Sequence, residues 1–266
     1  MAKAQAKKPK KKAAAAAPSS SSSTVTKPPH NKKKSILRAL AKKEPLLVEN
    51  TKRALIMKGN RTSEVITEVL TDISKLLKPN CRVMGRKNEI HPFEDANSIE
   101  FLTSKNDCSL FAVGSHSKKR PNNLILGRTY DGHMLDMIEF GVDAHTPLES
   151  FKGSKKAMGS KPLMTFLGEQ WESDSTFVRI QNLLLDVFRG DKIDMISLKG
   201  MDHVLVFTVV ESRIMLRGHT LSFKKSGTKV PKVELLPMGP YMDLVVRRTQ
   251  LAADDLFKIS CKKPKR

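Results

Sequence analysis

The sequence predicts an α/β (α+β) protein built as two similar halves, each a mixed β-sheet with packed helices. Two long amphipathic segments, TSEVITEVLTDISKLLKPN and STFVRIQNLLLDVFRG, are each followed by strand-like runs joined through short polar turns. Each series also closes on a basic stretch, residues 118–120 in the first and Lys224 with Lys225 in the second. The chain has 266 residues and is 39% hydrophobic, enough for a real core, and no apolar run approaches the roughly 20 residues of a membrane span.

Residues 1–34 mix a lysine cluster, an alanine run, a serine run and prolines. Such a segment cannot bury enough surface to offset its ordering entropy, so a disordered basic tail is expected. Its KKPKKK reads either as a nuclear localisation signal or as a solubilising arm. From 35 to about 58, Pro45 divides the chain into a short helix and a second helix beginning beyond it. Next, Val65, Ile66, Val69, Leu70, Ile73, Leu76 and Leu77 share one helical face, with Thr62 or Ser63 as N-cap and Pro79 as the stop. Strands are expected at 99–102, 109–113 and 124–126, and a helix or helical turn over about 133–140.

The segment ESFKGSKKAMGSKP reads as a long exposed loop, leading to a strand at 164–167 and then the second helix, ended by Gly190. Strands follow at 194–198, 204–210, 214–223, 233–236 and 243–248. The apolar run 204–210 is expected in the middle of a sheet, covered on both faces, and Gly218 marks a bulge. A short helix, AADDLFKI, leads into a basic end at 256–266. The main domain is expected over 35–255, with halves near 35–145 and 160–255.

The formal net charge of +21 favours a polyanionic partner. Ten lysines in residues 1–34 and five basic residues in 256–266, neither stretch holding an acid, leave only +6 between them. A specific site in the body must therefore be a local patch. Cys81, Cys108 and Cys261 are odd in number and far apart, which fits a reducing compartment better than a disulfide framework.

Catalytic chemistry finds little support. Ser115 and His116 are sequence neighbours, which on a strand point to opposite faces. The seven histidines lack metal-ligand spacing, and neither G-x-x-x-x-G-K-[ST] nor G-x-G-x-x-G occurs. Asp131, Asp136, Glu139 and Asp143 read as a solvated or partner-facing helical surface. No catalytic residue, metal or cofactor is expected. Lys118, Lys119, Arg120 and Arg128 flank the turn Pro121-Asn122-Asn123, and two readings stand: side chains held ready for phosphates, or an exposed solubilising loop. Aromatic content of 5% argues for backbone and shape contacts over base stacking.

The segments NEIHPFED, SKNDCSLF, GSHSKKRPNNLILGR and HMLDMIEFGV together resemble the ribosome production factor 2 branch of the Brix-domain family. KGNRTSEVITEVLTD before them and PMGPYMDLVVRRTQLA near the end extend the likeness over roughly residues 35–255. The resemblance implies a Brix fold of two pseudo-duplicated halves and a non-enzymatic nucleolar assembly factor of the large ribosomal subunit. Its implied partners are 5S and large-subunit precursor ribosomal RNA, a regulator of ribosome synthesis 1 homologue, and ribosomal proteins uL18 and uL5, with no membrane. A nucleolar protein scaffold that binds RNA without specificity, or an RNA-processing enzyme, are the alternatives.

By resemblance Lys118, Lys119, Arg120 and Arg128 form the signature basic loop, and Arg247 and Arg248 the basic end of the second half. With Lys224 and Lys225 they complete the expected RNA-binding set. Relatives commonly continue past the position of CKKPKR into a longer basic extension, whose affinity the lysine-rich N-terminal arm could replace. For protein partners, an edge strand of the second half or the apolar helix over 177–188 is a candidate surface, with ordinary core as the alternative.

Overall fold

The computed structural model describes residues 34–41, 50–193 and 195–262. The expected N-terminal tail up to residue 33 and the end of the basic C-terminus, 263–266, lie outside the described residues. Chain contacts separate Met1–Leu46 from Leu47–Arg266. In the first unit, α1 (Lys34–Ala41) is the short helix expected before Pro45.

The second unit is one nine-stranded sheet with helices against both faces. In chain order it runs β1 (Ala54–Gly59), α2 (Glu64–Leu77), β2 (Cys81–Asn88), α3 (Asn97–Asn106), β3 (Leu110–Ser115), β4 (Asn123–Tyr130) and β5 (His133–Thr146). Then come β6 (Leu163–Leu167), α4 (Gln170–Ser173), α5 (Ser175–Phe188), β7 (His203–Val210), β8 (Arg213–Lys224), β9 (Lys232–Gln250) and α6 (Asp254–Ser260). The spatial order is β2-β1-β3-β4-β5-β9-β8-β7-β6.

The duplication is visible in the pairing. β1 lies parallel to β3, which is antiparallel to β4, and β4 to β5; β6 lies parallel to β7, which is antiparallel to β8, and β8 to β9. In each half a helix follows the first strand, α2 after β1 and α5 after β6, and in the first half β2 and α3 intervene before the chain reaches β3. The two series meet where β5 and β9 pair antiparallel, so the halves share one continuous sheet.

Ser63 caps α2 by accepting the Ile66 amide at 3.2 Å, and that helix buries Ile66, Val69, Leu70, Ile73, Leu76 and Leu77. The apolar face of α5 is likewise core: Phe177, Ile180, Leu183, Leu184, Val187 and Phe188 are buried. Both helices pack on one face of the sheet around Ile138, Phe140, Phe207 and Leu244. On the other face of the first half, α3 covers Leu55, Met57, Phe111, Val113, Ile125 and Met137.

Six expectations are corrected. The helix expected beyond Pro45 is, over Ala54–Gly59, a strand between two parallel neighbours, and a strand covered on both faces reads as a continuous apolar run. Residues 99–102 belong to helix α3, whose start is held by Asp95 accepting from the Asn97 amide at 3.1 Å and the Ser98 hydroxyl at 2.7 Å. Residues 133–140 are strand, because Asp131 (φ 50°) and Gly132 (φ 79°) form the two-residue turn of a β4–β5 hairpin. Residues 195–197 form no strand, and Leu198–Gly200 is a 3-10 turn. β7 lies second from the sheet edge rather than in its middle, with one face against α5 and the other half-exposed. The strands expected at 233–236 and 243–248 are parts of the single strand β9. The bulge expected at Gly218 is present: the β8–β9 register shifts between Arg217 and His219.

Candidate nucleic-acid interface

The loop between β3 and β4 is built by local hydrogen bonds rather than by catalytic geometry. The His116 amide donates to the Arg61 carbonyl at 2.8 Å, and the Asn122 amide donates to His116 Nδ1 at 3.1 Å. Ser63, the cap of α2, donates its hydroxyl to Asn122 Oδ1 at 2.8 Å. Within the loop Ser117 and Arg120 exchange backbone bonds at 3.1 and 3.2 Å. His116 thus serves as an acceptor for its own loop. Lys118 and Lys119 sit exposed on this braced turn, and neither takes part in an ion pair among the described residues.

Glu139 of β5 organises the neighbouring cations. It is fully buried, and its carboxylate accepts Arg120 Nη1 at 2.8 Å, Asn123 Nδ2 at 2.7 Å, Arg248 Nη2 at 3.1 Å and Arg248 Nε. Burial pushes its carboxyl up, but the hydrogen bonds from Arg248, Arg120 and Asn123 outweigh burial and hold it below the usual carboxylate range. One anion therefore holds two guanidinium groups, each partly exposed, and leaves the cluster with net positive charge. Arg248 also lies over the Phe93 ring, 4.2 Å from its centroid. Arg247 donates to Asn123 Oδ1 at 3.2 Å and rests against Gly141, where a Cβ would stand 2.5 Å from its guanidinium carbon.

The other expected site residues lie elsewhere. Arg128 is only 5% exposed: its Nε donates to Asp136 at 2.9 Å, and its Nη1 to Asn182 at 2.7 Å and Asp186 at 2.6 Å. It ties β4 to α5 and faces no solvent. Lys224 is exposed and paired with Glu234 at 2.6 Å, and Lys225 beside it is exposed. The β3–β4 loop lies level with Arg213 across the sheet, since Asn123 pairs with Gly141, Gly141 with Val245, and Val245 with Arg213. The end of the β8–β9 hairpin, Lys224↔Lys232, is eleven residues farther along β8, about 35 Å of strand at ~3.3 Å per residue. The structure thus brings Lys118, Lys119, Arg120, Arg247 and Arg248 together and leaves Lys224, Lys225 and Arg128 apart.

The acidic residues read as a solvated helical surface are corrected too. Asp136 and Glu139 are buried strand residues that neutralise arginines, and Asp143 pairs with Arg213 at 3.3 Å. Reading the Asp131-Gly132 turn as a hairpin would have placed both Asp136 and Glu139 on a strand. Among the described residues no group of three or more His, Cys, Asp or Glu is placed to hold a metal, and no helix is long and apolar enough to cross a membrane.

The model of the Brix domain matches residues 59–248. The chain is 47% identical to the mouse protein "Ribosome production factor 2 homolog" over 228 residues, covering 86% of this chain and 74% of that protein. It is 38% identical over 237 residues to the protein of the same name from Schizosaccharomyces pombe, covering 86% and 75%. A crystal structure described as a probable ribosomal biogenesis protein from Aeropyrum pernix superposes with TM-score 0.47 at 10% identity, over 76% of this chain and 99% of that one.

Proposed function

The chain belongs to the Brix-domain family as a homologue of ribosome production factor 2, and we propose that it acts as a non-enzymatic assembly factor of the large ribosomal subunit. Its task is to hold 5S and precursor ribosomal RNA on its basic surface while protein partners bind elsewhere. Those partners are a regulator of ribosome synthesis 1 homologue and ribosomal proteins uL18 and uL5. Together they recruit the 5S ribonucleoprotein to the pre-60S particle in the nucleolus and support maturation of large-subunit RNA.

The observation that carries this reading is the braced turn with Lys118 and Lys119 exposed and, among the described residues, unpaired beside the Glu139 cluster. Cations held on a fixed turn meet phosphates with little loss of side-chain entropy, and a shared carboxylate keeps two arginines oriented without neutralising both. Arg128 has a structural role in this scheme.

The test compares 5S ribosomal RNA with a length-matched structured RNA, binding residues 47–257 co-expressed with the partner across a salt series. Each phosphate contact contributes about 0.7 to 0.9 to the log-log slope, so a slope of several units and a preference for 5S near physiological salt are expected. Equal binding to both RNAs, vanishing as salt rises, would leave a protein scaffold whose specificity comes from its partners. Cleavage of labelled RNA in the presence of magnesium would instead reveal an enzyme.

A further inference from the structure

β2 is the outer strand of the first half, and its sequence, CRVMGRKN, contains three cations and no acid. Arg82, Arg86 and Lys87 are exposed. Neither they nor the neighbouring Lys58 and Arg61 take part in an ion pair among the described residues. Several other cations on the sheet have carboxylates within reach, as Lys224 and Lys232 share Glu234 and Arg213 meets Asp143.

The pairing sharpens the contrast. Lys58 of β1 is the register partner of Lys87 on the parallel strand β2, which sets two like charges side by side, where they repel. Between Ile56↔Val83 and Lys58↔Lys87, β2 spends four residues where β1 spends two, so residues 84–86 bulge at the edge. Charged, bulged edges also protect sheets from aggregation. Protection accounts for Arg82 and Arg86, but a single lysine would serve it, and the adjacent Lys58 and Lys87 go beyond it.

The patch is continuous with the loop described above. Lys58 also pairs with Gly114 at the end of β3, and the Arg61 carbonyl holds the His116 amide that begins the β3–β4 loop. We propose that the β2 edge is a second phosphate-binding surface, a track along which an RNA backbone continues from the Lys118 and Lys119 turn past Lys58 and Lys87 to Arg86 and Arg82. It rests on the reading of that turn as an RNA contact. Val83 is the one large apolar side chain exposed on β2, so the track contacts backbone and reads no bases.

The test titrates a 5S ribosomal RNA transcript with the full chain across a salt series. The variant Arg82→Gln/Arg86→Gln/Lys87→Gln is compared with Lys118→Gln/Lys119→Gln and with Lys229→Gln/Lys232→Gln, which removes two exposed cations at the far end of the β8–β9 hairpin. The β2 variant should lower the log-log slope by roughly 2 to 3, and the distant variant should leave it where it was. A slope unchanged in the β2 variant but reduced in the turn variant overturns the track and leaves the turn as the RNA site. An unchanged slope with loss of the protein partner makes the edge a protein-docking strand instead. Equal losses in the β2 and distant variants reduce the effect to net charge, and no binding by the wild-type chain overturns both readings. Lys87→Glu guards against a folding artefact: beside Lys58 it should hold or raise the thermal midpoint while weakening RNA binding, and undiminished binding overturns the proposal.

Discussion

Arg120 and Arg128 belong to the same basic signature yet end in opposite surroundings. Arg120 shares Glu139 with Arg248 at the surface, whereas Arg128 is enclosed by Asp136, Asp186 and Asn182. Removing one partner of a buried pair leaves the remaining charge uncompensated, so Arg128→Ala should cost about 3 to 5 kcal/mol in urea unfolding and leave the salt slope of RNA binding unaltered. Lys118→Gln/Lys119→Gln should do the reverse, with stability within about 0.5 kcal/mol of wild type and a slope lower by roughly 1.5. The carboxylates add a pH dependence. Burial raises Asp186, but Lys52 and Arg128 outweigh it, and Glu139 behaves alike with its own donors, so both groups titrate lower in the folded chain than in the unfolded one. Their contribution to stability is complete above the unfolded values near 4 and is lost as pH falls through the folded ones. The stability difference between wild type and Glu139→Gln should hold from pH 7 to 5 and shrink below about 4; a difference independent of pH would remove Glu139 from the ionised cluster.

At the scale of elements, close approach of backbone to side chains governs which glycines are replaceable. A Cβ on Gly127 would stand 2.3 Å from the Phe111 ring and 2.8 Å from the Asp136 carbonyl, whereas one on Gly85 meets nothing within 4 Å. Gly127→Ala should therefore cost about 1 to 3 kcal/mol by overpacking, with Gly85→Ala within about 0.5 kcal/mol, both read from urea midpoints. What the sequence disclosed about the elements follows the same logic of environment. α2 and α5 were legible because each buries a single stripe against one face of the sheet, and Gly218 because a residue without a side chain inside a strand marks a bulge. β1 was not, since cover on both faces removes alternation, and β5 was not, since Asp136 and Glu139 place buried charge where an apolar residue would have signalled a strand. The same concealment affected the site: the basic residues of the loop could be named from sequence, but the carboxylates that sort them into surface and interior, Asp136 and Glu139, meet them only through the β4–β5 pairing that the sequence reading took for a helix.

The whole sheet raises the question of whether two halves of similar design behave as two folding units. The pairing of β5 with β9 extends from Met137↔Gln250 to Thr146↔Tyr241. Beneath this seam, Ile138, Phe140 and Val142 of the first half share one core with Met242, Leu244 and α5 of the second. Glu139 and Arg248, and Arg128 and Asp186, add ion pairs across the boundary. A core divided by no solvent layer exposes its apolar surface all at once, so Leu47–Arg266 should unfold in a single transition. The chain carries its own reporter: Trp171, the only tryptophan, is 3% exposed and packs edge-on against Phe166 and Phe177 of the second half. Its fluorescence should follow the second half alone, while far-UV circular dichroism follows strands and helices of both. Coincident urea curves from the two probes are expected for a fused core. A fluorescence transition separated from the circular dichroism curve would mean that the seam joins halves able to open independently, and that the cations of the β3–β4 loop and of β9 need not act together.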